Sequence, residues 1–408
     1  MTTQITTFNE KCLFINGGAW EQTEYVDNGI PVVQVKDMQG GTVVWTKPKF
    51  LPESSYQRYS QHRLETNDLV IATVGSHPDQ PNSVVGRATI IPQYAEDALL
   101  NQNAVCIRPK DSTLDKRYLG YIGQSPELQH FIAAMAKGAA NQVRIAIGAL
   151  KQFPFNLPSL EVQQRIADIL SNYDNLIDNN NRRIALLEES IHLVYKEWFV
   201  RSRFPGYESV KVVDGIPEGW KITTLSKIAK VNEQSISKKN SPEQIQYVDI
   251  SSVTTGSINT TQAIKFVDAP SRAQRVVKHG DIIWSMVRPG RKAYALVLTP
   301  PENLIVSTGF AVISTKKIPF TFLYKAVTTD SFVSHMEQVA TGAAYPAVKP
   351  KDFECMTLLI PPDKMIRQFD NFVLPIFKQI YTLQSQNKSL QQARDLLLPR
   401  LMNGSIAV

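Results

Sequence analysis

Cysteine is scarce in this chain: Cys12, Cys106 and Cys355 lie far apart and are odd in number. Such thiols build neither a disulfide framework nor a metal knuckle, so a reducing compartment is expected, with each thiol a small buried hydrophobe. Long apolar runs are also missing. No stretch of about 18 uncharged apolar residues occurs, and no membrane-spanning helix is expected. The polar opening Met1 to Glu10 lacks the basic and apolar blocks of a secretory signal. The six histidines never approach one another at ligand spacing, so no metal site is expected. His77, alone in a Gly-Ser-His-Pro turn, reads as an ordinary loop histidine.

Catalytic signatures are absent too. No phosphate-binding GxxxxGK[ST] loop is present, which removes ATP chemistry from this chain. An adenine methyltransferase needs a Gly-rich cofactor loop and an Asn/Asp-Pro-Pro-aromatic motif. The nearest strings, Thr299-Pro300-Pro301-Glu302 and Ile360-Pro361-Pro362-Asp363, lack both the amide or acid and the aromatic that would hold a flipped base. No cluster of carboxylates with a lysine suggests a Mg-dependent nuclease. A non-catalytic protein is the expectation.

What is there is an ordinary globular composition, 43% hydrophobic and 20% charged over 408 residues, enough for two or three domains. The net charge of +7 permits a nucleic-acid partner without requiring one. Its distribution is uneven: residues 1–155 carry 14 Lys/Arg against 14 Asp/Glu, whereas residues 205–360 carry 18 against 13.

The chain is also written twice. Gly138-Ala139-Ala140 recurs as Gly342-Ala343-Ala344, about 204 residues on, and Phe155-Asn156-Leu157-Pro158 is echoed by Leu359-Ile360-Pro361-Pro362. Ile30 to Asp37 resembles Ile245 to Ser252, and Asn67-Asp68-Leu69-Val70 resembles Gly280-Asp281-Ile282-Ile283. Short β-branched runs predict strands at Pro31 to Val35, Leu69 to Val74, Ala104 to Ile107, Asp281 to Met286 and Phe310 to Ile313. Helical stretches are expected at Leu119 to Ala136 and Phe320 to Val339.

Two long helices complete the pattern. Ile166, Leu170, Tyr173, Ile177, Asn180, Ile184, Leu187, Ile191, Val194 and Trp198 recur at alternating steps of four and three, a heptad seam. Ile366, Phe369, Val373, Ile376, Ile380, Leu383, Asn387, Leu390, Arg394, Leu397 and Leu401 do the same. Ser159 and Asp363 are candidate N-caps. About 40 residues at 1.5 Å each make rods of roughly 60 Å. Each helix offers the other an apolar stripe, so an antiparallel coiled-coil pair is expected, with Asn180 and Asn387 as possible register-setters. The fold class is therefore α/β (α+β): two mixed domains separated by two long helices, with an internal pseudo-two-fold repeat. The boundaries are 1–157, 158–204, 205–361 and 362–408.

Asn156 to Phe199, Ile216 to Val231 (IPEGWKITTLSKIAKV) and Leu359 to Ser405, ending in LLLPRLMNGS, together resemble the DNA-specificity subunits of type I restriction-modification systems. The N-terminus departs from the pattern by entering its first strands without a Pro-Glu-Gly-Trp opening. The resemblance implies that each domain reads one half of a split double-stranded DNA target while the helices fix the spacer. It implies as partners two copies of a modification subunit that methylates adenine, and restriction subunits with translocase and nuclease activity. No cofactor is expected on this chain, since S-adenosylmethionine, ATP and Mg would be bound by those partners. A prokaryotic cytoplasm follows. The alternatives are a two-domain coiled-coil interaction scaffold and the specificity subunit of a related type II-like restriction-methylation enzyme.

Readout of DNA needs long donors on loops and cations for phosphates. In the second domain Arg288, Arg291 and Lys292 surround a Pro-Gly turn, and Arg272 and Arg275 precede it. The resemblance adds Tyr345 and Lys349, after the Gly342-Ala343-Ala344 turn. In the first domain Asn141, Gln142 and Arg144 hold the equivalent place, with Arg58, Arg63, Ser76 and Arg87 as further candidates.

Overall fold

The computed structural model describes residues 4–45, 47–75, 83–135, 137–139, 142–237 and 241–408. The chain divides into two compact units, Met1–Asn179 with Asn387–Val408, and Asn180–Gln386.

In the first unit the strand Gln4–Thr7 pairs antiparallel with Pro154–Leu157, so the domain's first and last strands close on each other. Thr7 then caps a one-turn helix, Phe8–Lys11, in a capping box with Glu10. An antiparallel sheet follows in the order Cys12–Asn16, Ala104–Pro109, Leu69–Ala72, Ala88–Ile90. A second sheet places Ile30–Val33 between the parallel Leu99–Leu100 and the antiparallel Lys49–Leu51. The four residues of Leu69–Ala72 are all buried, as a strand covered on both faces requires. The helical stretch expected over Leu119 to Ala136 is two helices, Lys116–Gln124 and Pro126–Met135. Asp115 caps the first by accepting from the backbone N–H groups of Arg117 and Tyr118.

The second unit repeats that order. Lys221–Thr224 pairs with Thr357–Ile360, and a one-turn helix Leu225–Ile228 leads to a sheet ordered Ala229–Val231, Phe310–Thr315, Ile282–Ser285, Tyr294–Leu296. A second sheet again sets Gln244–Val248 between a parallel strand, Leu304–Ser307, and an antiparallel one, Gln262–Lys265. Ala273–Val276 extends it. Helices Phe320–Ala326 and Asp330–Val339 take the place of the first unit's pair. The repeat read from four short matches is thus a repeat of topology.

The central helix runs Leu160–Tyr195 and the C-terminal helix Asp363–Met402. Each unit receives part of both. In the first, Ile166, Ala167 and Leu170 share a core with Leu398, Leu401 and the domain residues Tyr118 and Ile122, with Leu397 packed at its edge. Asp174 there accepts from Arg394 Nη1 at 2.6 Å and from Tyr121 Oη at 2.7 Å. In the second unit Ile191, Tyr195, Ile366, Phe369, Val373 and Ile380 pack with Trp284 and Phe322, and Ile184 and Leu187 join at the margin. The helix segments are antiparallel there: Trp198 meets Phe369 at 6.1 Å, and Ile191 lies beside Phe377 and Ile380. Leu383, Ile177, Asn180 and Asn387 are buried, whereas Tyr173 and Leu390 are half-buried.

The helices depart from the heptad expectation at three points. Lys196–Val200 is a π-helical turn, and it buries Phe199 rather than Trp198. Phe199 meets Phe322 at 5.0 Å and Phe369 at 5.1 Å. Asp363 is the first helical residue and pairs with Arg367 at 2.7 Å. Pro375 sits within the C-terminal helix, where it lacks the N–H that Asn371's carbonyl would accept.

Candidate nucleic-acid interface

In the second domain two loops are stitched together by backbone. Val287 bridges Ala347, Val348 N–H donates to the Met286 carbonyl at 2.9 Å, and Arg288 N–H donates to that of Pro346 at 2.7 Å. Thr341 and Ala347 exchange both bonds at 2.9 Å, which closes the Gly342-Ala343-Ala344 turn. On this frame the turn Pro289–Arg291 is flanked by two left-handed residues, Arg288 at φ 51° and Lys292 at φ 53°. Non-glycine residues in that region store strain, which concentrates at functional sites. At Gly290 a Cβ would lie 1.9 Å from Glu337 Oε1, so a side chain there would have to push the exposed Glu337 carboxylate aside.

The candidate side chains differ in their commitments. The Arg288 guanidinium lies 4.5 Å over the Tyr345 ring, and its Nη2 donates to the Ala344 carbonyl at 3.2 Å. Tyr345 itself is 70% exposed. Lys292 is held by Asp330 at 2.7 Å, whereas Arg291 and Lys349 are exposed. Arg272 Nε donates to Tyr247 Oη at 3.2 Å, and Arg275 Nη1 to Ser235 Oγ at 3.0 Å. Burial holds the Arg275 guanidinium below its ordinary value.

The first domain places an equivalent loop pair at the same point of its topology. Val74–Gly75 continues from the central strand and pairs with Gln142–Arg144, which pairs in turn with Lys137–Ala139. Arg144 is exposed there, on the rim of an open groove of about 840 Å³ lined also by Asn16, Thr73, Gln102 and Asn103. Sequence reading passed over Asn101-Gln102-Asn103; the amide run before a buried strand was the available signal. Ser76 and Asn141 lie outside the described residues, as does the Gln142 side chain.

The other first-domain candidates sit elsewhere. Arg87 is half-buried and donates to the carbonyls of Met38 at 2.7 Å and Ser83 at 3.1 Å, a structural role, and burial holds its guanidinium below its ordinary value. Arg63 pairs with Asp97, and Arg58 lies 5.0 Å over Tyr59 and 3.6 Å from Glu24.

Among the described residues no group of three or more His, Cys, Asp or Glu could hold a metal, and no helix is long and apolar enough to cross a membrane.

The chain resembles known proteins over most of its length. Residues 14–189 match the model of the type I restriction modification DNA specificity domain. The chain is 24% identical over 402 residues to the type I restriction enzyme MjaIX specificity subunit of Methanocaldococcus jannaschii, covering 94% of this chain and 91% of that one. It is 20% identical over 388 residues to the HindI specificity subunit of Haemophilus influenzae, covering 79% and 84%. The crystal structure of a type I restriction-modification S subunit from M. genitalium shares its fold, with a TM-score of 0.59 at 16% identity over 98% of this chain and 96% of that one. With the duplicated topology and the paired loops, these likenesses make the chain similar, over most of its length, to type I restriction-modification DNA-specificity subunits.

Proposed function

We propose that the chain confers sequence specificity on a type I restriction-modification complex by reading a bipartite target, one half with each domain. The observation that carries this is the recurrence of one loop pair, Val74–Gly75 with Gln142–Arg144 and Val287 with Ala347, at the same place in two domains of like topology. Two copies of one reader on a shared scaffold gain effective concentration for the second contact, and the scaffold sets the spacing of the half-sites.

The candidates divide by role. Arg144, Arg288, Arg291, Tyr345 and Lys349 belong to the loop pairs and face DNA; Arg272, Arg275, Arg58 and Arg63 supply phosphate contacts at most, and Arg87 holds its own domain together. The helices serve as spacer and as docking ground for two modification subunits. Leu186, 72% exposed in the second unit, and Leu396, 65% exposed in the first, are apolar positions that a protein partner would cover. Adenine methylation with S-adenosylmethionine, and ATP- and Mg-dependent translocation and cleavage, belong to those partners and to restriction subunits in a prokaryotic cytoplasm.

The test is co-purification with the modification subunit, followed by mapping of methylated adenines in host DNA. A split motif lost on deleting this chain supports the reading. Methylation that persists without the chain, or lacks a split motif, overturns it.

A further inference from the structure

The cation-bearing turn of the second domain is more ordered than phosphate binding requires. We infer that Arg288 reads a guanine in that domain's half-site, its fork presented to O6 and N7 by the ring of Tyr345; this rests on the DNA-specificity reading above.

A phosphate contact asks only for a positive charge within reach, and a freely rotating side chain supplies it. Arg288 is constrained at every level. Its backbone is held in the left-handed region by the bond to Pro346, its guanidinium face is covered by Tyr345 at 4.5 Å, and one end of its fork is fixed on the Ala344 carbonyl. Among the described residues no carboxylate pairs with it. The remaining N–H groups of a planar, preoriented fork match two acceptors in one plane, and in the major groove guanine presents N7 and O6 in that arrangement. Because the side chain is ordered before it meets DNA, little rotamer freedom is lost on contact.

Its neighbours cannot take the same part. Lys292 is engaged by Asp330, and Arg291 and Lys349 have no such clamp. Tyr345, exposed but stacked, acts as a positioning residue.

The experiment is selection from randomised duplex DNA, at two salt concentrations, by the full chain assembled with its modification subunit. Wild type is compared with Arg288→Lys, Arg288→Ala, Tyr345→Leu and Arg291→Ala. In wild type a guanine is required at one position of one half-site. Arg288→Lys keeps the charge but not the fork, and it relaxes that position about tenfold or more, as does Arg288→Ala, leaving the other half-site intact. Tyr345→Leu weakens the same position less. Arg291→Ala lowers affinity evenly and reduces the salt slope by about one. The inference is overturned if the responsive half-site contains no required guanine, or if Arg288→Ala behaves as Arg291→Ala does. A wild-type complex without split preference would instead sink the specificity reading itself.

Discussion

Asn67 and Gly280 turn the chain through the left-handed region at φ 66° and 84°, and each delivers an aspartate into the core just before a central strand. Asp68 accepts from the Glu65 N–H at 2.7 Å and Asp281 from the Lys278 N–H at 2.9 Å, the same frame in both domains. The electrostatic outcomes are opposite. Desolvation opposes ionisation of Asp68, but Arg108 Nη2 at 2.6 Å and Lys116 Nζ at 2.8 Å outweigh it and hold the carboxyl below its ordinary value. At Asp281 desolvation wins, and the carboxyl is raised. Asp68→Asn is therefore expected to lose about 2 kcal/mol, measured by denaturant unfolding, since Arg108 and Lys116 are partly exposed and keep Glu65 as a partner. Since its carboxyl is depressed, the stability it gives is present above the unfolded value of about 4 and is lost as pH falls through the folded one. Asp281→Asn should instead be neutral or stabilising at pH 7. A raised carboxyl contributes fully below its unfolded value and ceases to contribute as pH rises through its folded one, so that advantage should vanish in acid. The frame was legible in the resemblance of Asn67-Asp68-Leu69 to Gly280-Asp281-Ile282. The pairing was not, because Arg108 lies 40 residues from Asp68 and nothing local joins them.

At the scale of elements, the long helices combine an apolar seam with polar interruptions that have different consequences. Arg394 was visible as a break in the seam; its partner Asp174, and the Tyr121 hydroxyl that donates to the same carboxylate, were not, because they lie on other helices. Asp174→Ala should lower the stability of the first unit by about 2 kcal/mol, less at high salt because both side chains keep partial exposure. Pro375 interrupts the backbone ladder of the C-terminal helix, and Pro375→Ala should stabilise the second unit by about 1 kcal/mol or more, read as a higher thermal midpoint. No gain would mean that the missing hydrogen bond is already accommodated where Phe369 and Val373 pack. The π turn that buries Phe199 escaped the heptad count because a single added residue shifts which side chain faces the core without changing the composition of the seam.

For the whole molecule, duplicated domains and long helices were readable from periodicity and repetition, which survive divergence. The loop pair of the second domain was not, since Arg288 meets Ala344 across 56 residues of chain. If the helices act as a spacer, inserting four residues near Asn180, about one helical turn, should change the distance between half-sites and leave both half-site sequences as they were. Sequencing of methylated sites checks this, and altered half-sites would make the helices part of the readout.

Each domain begins and ends on one ribbon, Gln4–Thr7 beside Pro154–Leu157 and Lys221–Thr224 beside Thr357–Ile360. Entry and exit of the polypeptide are thus neighbours, and everything between them forms an exchangeable cassette. If each domain reads one half-site as proposed, a recombination event that crosses at these ribbons would import a foreign reader whole, so a cell could acquire a new target by inheritance of one segment, without redesigning the machinery around it.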